Sequence, residues 1–367
     1  MSRRMTIVVI VLGAAVVLGT LFYRLFLVTP PSITAVTWSG AYGRAQASAL
    51  FLPYQQRTGI NVRIAEYDGG IAELRKRVTS KQYDWDVIDM ELPDAIAACR
   101  EGLLEPIDSA TLPAGANGET PKADFVTNAI GKCWVGSVVY SQLIAYAPAS
   151  FGNARPTALK DFFDTAQFPG PRALKGSSAK FNLELALLAD GVAPPDVYRV
   201  LSTPSGLDRA FRKLDTIRPS ILWWSRSSEP AAMLQDGRAV FATILNGDVF
   251  EAAVHHHALG AIWDGQLYEL DVFGIPRGNP KRTMAMDFIR FATAAQNLAS
   301  VANWVPYGPA RRSAIPLVGR NPELAIAMRP FLPTEPEHFA TAFAVNDAWW
   351  LTHGGEIAAR WQAWRDR

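Results

Sequence analysis

From Ile33 onward, short apolar runs of strand character alternate with longer stretches whose apolar positions recur at helical spacing. That alternation is the rhythm of an α/β protein. Residues 33–38 read as the first strand, and a helix over 43–57 follows, stopped by Thr58-Gly59. A second strand over 61–67 runs into Asp68-Gly69-Gly70, either a plain turn or a helix N-terminus able to receive an anion. A helix over 71–80, a short buried strand over 85–89 and a helix over 93–100 come next. Residues 138–146 form a long apolar run suited to a strand crossing between lobes, and 268–275 form a second, stopped by Pro276-Arg277-Gly278. Between them lie helices over 183–189 and 206–214 and strands over 221–224 and 239–245; a terminal helix covers 355–367. Two single-strand crossings predict two α/β lobes joined by a hinge.

The N-terminus breaks this pattern. Ser2-Arg3-Arg4 precedes a nearly unbroken apolar run from Met5 to Tyr23, about 18 residues, between a long signal core and a minimal membrane span. Arg24-Leu25-Phe26-Leu27-Val28 offers no small-residue cleavage site, so 1–32 reads as a signal peptide or a retained signal anchor. Arg3-Arg4 lacks the fuller twin-arginine pattern, and no cysteine lies close enough for a lipid anchor. The expected location is the periplasm. About 335 residues remain, too many for one small core. They divide as 33–142 plus 272–325 and 143–271 plus 326–367.

Composition narrows the function. A formal net charge of +2 makes no electrostatic case for nucleic acid. The 11 tryptophans are many, and aromatics often wall clefts for small organic ligands. Cys99 and Cys133 form either one disulfide or two buried thiols; a bridge in an oxidising compartment is worth about 3–4 kcal/mol. His255-His256-His257 cannot converge on one metal, because consecutive side chains diverge and no cysteine or carboxylate has ligand spacing to them. No nucleophile elbow, P-loop or dinucleotide fingerprint is present. Neither cofactor nor metal is expected.

Trp38 and Tyr42 follow the C-terminal end of the first strand, where open α/β folds bind ligands. Asp89 and Glu91, at i and i+2, point the same way from a strand. They read either as an ammonium anchor or as caps of the helix that begins near Pro93. As the catalytic pair of an exported hydrolase they lack any accompanying acid–base constellation.

An ordered series of short motifs carries a resemblance. It begins with Thr37-Trp38-Ser39-Gly40-Ala41-Tyr42, Pro53-Tyr54 with Thr58-Gly59, and Trp85-Asp86-Val87-Ile88-Asp89-Met90-Glu91. Gly102-Leu103-Leu104-Glu105, Phe168-Pro169-Gly170, Ala189-Asp190-Gly191-Val192, Trp223-Trp224-Ser225 and Asp236-Gly237 follow. Asn246-Gly247, Ile275-Pro276 and Tyr307-Gly308-Pro309 close it. Together they resemble the periplasmic solute-binding proteins of ABC importers, in the spermidine/putrescine-type branch. The resemblance implies the type II two-lobe binding-protein fold with two crossing strands. It also implies a small-molecule amine or amino-acid-like ligand, and a monomer that docks on an ABC permease without catalysis. A disulfide between Cys99 and Cys133 is implied too. The alternatives are a membrane-tethered ligand sensor and the exported hydrolase.

In that branch an alkyl amine lies between aromatics with its ammonium ends on carboxylates, by cation–π attraction and charge-assisted hydrogen bonds. The resemblance places Trp38 in the wall and Asp271 among the acids, and matches Ser225 after Trp224, Asp248 and Tyr307 to its lining segments. Tyr42 beside Trp38, Asp89 and Glu91 at the strand end and the hydroxyl of Ser141 in the first crossing strand are added as neighbouring candidates. Arg226, in the cleft or a solvated surface arginine, would suit a carboxylate. This chain departs from the polyamine pattern at three places: Leu245 and Glu269 stand where tryptophans are expected, and Ser177, Ser178 and Lys180 replace an acidic pair. A shorter ligand than a polyamine is therefore expected. Arg226 with Asp248 or Asp271 would suit a zwitterion such as an ω-amino acid or an opine-like amine.

Overall fold

The computed structural model describes residues 30–257 and 259–367; the predicted signal segment, up to residue 29, lies outside the described residues. Ten strands form one sheet: β1 (Ser32–Thr37), β2 (Asn61–Glu66), β3 (Val87–Glu91), β4 (Val135–Tyr146), β5 (Arg172–Lys175), β6 (Ile221–Trp224), β7 (Phe241–Leu245), β8 (Gly260–Gly274), β9 (Gly308–Pro309) and β10 (Phe343–Ala344). The main order is β2-β1-β3-β8-β4-β7-β5-β6. β1 is parallel to β2 and β3, β5 is parallel to β6 and β7, and β4 and β8 run antiparallel to each other between the two groups. Because β3 is antiparallel to β8 and β7 to β4, the C-terminal ends of the outer groups face each other across the middle of the long strands. That meeting of strand ends is where an open α/β sheet binds ligands.

The helices that matter for the site are α1 (Gly40–Gln46), α2 (Leu92–Arg100), α3 (Asn182–Ala189), α4 (Asn246–Val254) and α5 (Asp347–Arg365). One apolar core holds β1 and β3 with Val135, Val138 and Val139 of β4 and Leu270, Val272 and Phe273 of β8. Two further clusters cover the faces of β5–β7, drawing Ile144, Ile262 and Leu267 into one and Leu143 and Ala145 into the other. Between the cores, β4 carries Tyr140, Ser141 and Gln142, so the apolar packing divides within the two strands both lobes share. This is the two-lobe binding-protein fold. Met328 and Leu332 belong to the first core, and Phe343 to the second.

Predicted elements shift where local packing decides. β3 begins two residues beyond the expected strand, because the buried Asp86 carboxylate instead accepts from the Thr34 N–H at 2.7 Å and the Lys281 ammonium at 3.2 Å. α5 begins at Asp347 rather than near 355, running through Gly354 and Gly355, because Trp349, Ile357, Trp361 and Trp364 bury its inner side. Cys99 in α2 is disulfide-bonded to Cys133. Among the described residues no helix is long and apolar enough to cross a membrane.

Candidate functional site

β1 ends at Thr37, which leaves Trp38 half-buried at the mouth between the lobes, its ring centroid 5.2 Å from that of Tyr67. Gly69 makes this placement possible. Its φ of +84° is a left-handed conformation, and a Cβ there would come within 3.0 Å of the Trp38 ring. The Gly69-Gly70 turn receives an anion from within the chain, since the Asp94 carboxylate accepts from the Gly70 N–H at 2.7 Å.

α1 then turns Tyr42 and Gln46 toward β3. The Gln46 amide donates to the Tyr42 hydroxyl at 3.0 Å and to Asp89 Oδ2 at 2.9 Å, while its carbonyl oxygen accepts from Thr37 Oγ1. The Tyr42 hydroxyl also meets Ser137 Oγ at 2.9 Å. Asp89 is fully buried, and its Oδ1 has no partner. Burial pushes this carboxyl up to about 8, against the pull of its hydrogen bonds. Glu91 pairs in register with Asp271 across β3 and β8. It holds the N-cap position of α2, yet its side chain caps no backbone N–H. Burial, then the charges of Glu269 and Asp94, raise the Glu91 carboxyl. Asp271 is buried with an unpartnered Oδ1, and burial followed by the charges of Asp89, Glu91 and Glu269 holds it well above the ordinary carboxylate range. An unpaired buried carboxylate is costly unless it is neutralised, so this acidic group is suited to a cation.

A cavity of about 320 Å³ opens over these acids, lined by Trp38, Tyr42, Glu91, Tyr140, Leu245, Asp271 and Tyr307 among others. Tyr307 stands edge-on to Tyr42, with centroids 5.5 Å apart, and 6.3 Å from Tyr140. Asn246, buried at the start of α4, fixes that wall: its Oδ1 accepts from the Ser141 N–H at 3.0 Å and its Nδ2 donates to the Pro306 carbonyl. On the other side of Tyr42 and Tyr307 lies a larger cavity of about 670 Å³, lined by Asp248, Glu251, His255 and Trp304 among others. Burial and then Glu251 push the Asp248 carboxyl up to about 6.

The structure thus brings Trp38, Tyr42, Glu91, Asp271 and Tyr307 to one cavity, with Asp89 behind Tyr42 and Asp248 on the neighbouring cavity. Trp224 is buried in the second lobe with its indole N–H donated to Thr243 Oγ1 at 3.2 Å, and it does not line the cavity over the acids. Ser141 is buried, its hydroxyl unpartnered. Ser225 and Arg226 lie exposed beyond β6, the outermost strand, and the Arg226 guanidinium turns to Glu229 at 2.9 Å rather than toward the acids. Gln46, Tyr140 and Lys175 were not singled out by the sequence. Lys175 ends β5 beside Trp224, with Nζ 5.8 Å from that ring and no carboxylate partner among the described residues. Its charge, after that of Lys180, opposes the rise of the Glu91 carboxyl, although Lys175 does not itself line the cavity over the acids. Among the described residues no cluster of His, Cys, Asp and Glu could hold a metal.

Comparison with known proteins matches residues 49–326 to the family model of bacterial extracellular solute-binding proteins. The chain belongs to that family. It is 34% identical over 336 residues to the gamma-aminobutyric acid-binding protein of Pseudomonas aeruginosa, covering 92% of this chain and 91% of the relative. A solved GABA receptor structure aligns at a TM-score of 0.73 with 30% identity, covering 91% of this chain and 97% of its own. An ABC transporter substrate-binding protein from Bradyrhizobium japonicum aligns at 0.75 with 29% identity, covering 91% and 99%. The chain is accordingly an extracellular solute-binding protein, and its relatives are named as binding proteins or receptors for small solutes.

Proposed function

We propose that the protein captures an ω-amino acid or a related compound with one amine and one carboxylate, in the periplasm, and delivers it to an inner-membrane ABC permease as a monomer without catalysis. The observation that carries this reading is the pair of unpartnered buried carboxylate oxygens, on Asp89 and Asp271, beneath a cavity walled by Trp38, Tyr42, Tyr140 and Tyr307. An ammonium there would neutralise the acidic group and face aromatic rings. Asp271 and Glu91 take the amine directly, and Asp89 acts through Gln46 and Tyr42. The carboxylate is assigned to Lys175 at the end of β5. The lobes close about the middles of β4 and β8, with residues up to about Leu332 moving with the first lobe and those from Phe343 with the second. Two relatives named for GABA binding support the same ligand class.

The test is thermal stabilisation of the purified protein by a series of ω-amino acids, opines and polyamines, since a ligand that binds only the folded state raises its stability by mass action. Stabilisation by an ω-amino acid exceeding that by spermidine is expected. Stabilisation by spermidine alone contradicts the reading.

A further inference from the structure

Lys180 lies in the turn before α3, and its ammonium donates both to Glu269 of β8 and to Asp347 Oδ1 of α5, the latter at 2.8 Å. The side chains are 21%, 8% and 1% exposed, respectively. The same ammonium lies 5.3 Å from the Phe181 ring centroid. Two carboxylates and an aromatic face around an alkylammonium are the chemistry that the first cavity offers a ligand, but here a side chain of the protein occupies the cation's place.

The two acidic groups are neighbours. Glu269 and Asp271 stand two residues apart on β8 and so share a face. Glu269 pairs in register with Tyr140, which lines the smaller cavity. Tyr140 therefore adjoins both groups: it faces Glu269 across the β4–β8 ladder and lines the cavity that holds Asp271. Burial alone would lower the Lys180 ammonium, but Glu269 and Asp347 outweigh it and keep it charged. A ligand's second amine reaching past Tyr140 would meet this cation and no free carboxylate pair, a repulsive element of the kind that sets specificity.

We infer that Lys180 is a built-in ammonium that occupies the second amine position of the cleft and restricts it to ligands with a single amine end. The inference deepens the proposed function and rests on its placement of the amine at Asp271 and Glu91. It is tested by calorimetric titration of the native protein, Lys180→Ala and Lys180→Arg with γ-aminobutyrate and with putrescine. Native protein and Lys180→Arg are expected to bind γ-aminobutyrate and to bind putrescine only weakly. Lys180→Ala, with Glu269 and Asp347 freed, is expected to bind putrescine about tenfold or more tightly than the native protein does. If Lys180→Ala unfolds on its own, millimolar putrescine is expected to restore its melting transition. Native binding of γ-aminobutyrate with neither gain nor rescue in Lys180→Ala overturns this inference alone, leaving Lys180 a tie between β8 and α5. Failure of the native protein to bind any ω-amino acid removes the proposed function, and this inference with it.

Discussion

At the scale of single residues, Asp271 combines two roles that pull against each other. Its burial with an unpartnered oxygen costs the empty protein stability, while the same charge holds a ligand's ammonium. Asp271→Asn is therefore expected to weaken an ω-amino acid by about 2 kcal/mol, the scale of a hydrogen bond to a charged group, while leaving or raising the melting temperature of the empty protein. A fall in both would make Asp271 a structural residue. Asp89 sets the pH dependence. Its carboxyl moves from 3.8 to about 8 on folding, so across that window the folded state holds a proton that the unfolded chain has lost, and the stability of the empty protein falls as pH rises. A bound ammonium favours the carboxylate form, so binding tightens with pH over the same window and releases protons. Titration in buffers of different ionisation enthalpy reads that release directly; proton uptake would contradict it. Trp38 and Tyr42 could be placed near the cavity from the sequence because they follow the end of the first strand, where this architecture carries ligands, whereas Asp271, inside a crossing strand, came only with the family resemblance. The same rule applies to Lys175 at the end of β5, but its short strand gave no comparable signal. Gln46 was hidden because its role depends on a register between α1 and β3 that no local pattern encodes.

At the scale of elements, the crossing strands were legible as apolar runs, since both faces of β4 and β8 are covered. Their ends were not, because register against neighbours decides where pairing stops. The turn after β2 has a sharper consequence. Gly69→Ala must adopt a φ of +84° and crowd the Trp38 ring, costing about 1–2 kcal/mol of stability. The expected outcome is a lowered melting temperature together with altered tryptophan fluorescence and weaker ligand binding. Unchanged binding would mean that Trp38 does not form the wall.

At the scale of the whole molecule, the separation of apolar cores along β4 and β8 leaves polar residues 140–142 between them. Closure about these strands is expected to shrink the radius of gyration when ligand is added, measurable by small-angle scattering. No change at saturating ligand would contradict a hinge. The most direct measurement of the central claim is a crystal structure with γ-aminobutyrate bound. The amine nitrogen is expected about 3 Å from carboxylate oxygens of Asp271 and Glu91, beside Trp38 and Tyr307, with the ligand's carboxylate directed to Lys175. A ligand bound in the reverse direction, or seated against Asp248 in the larger cavity with the Asp271 group empty, would contradict it.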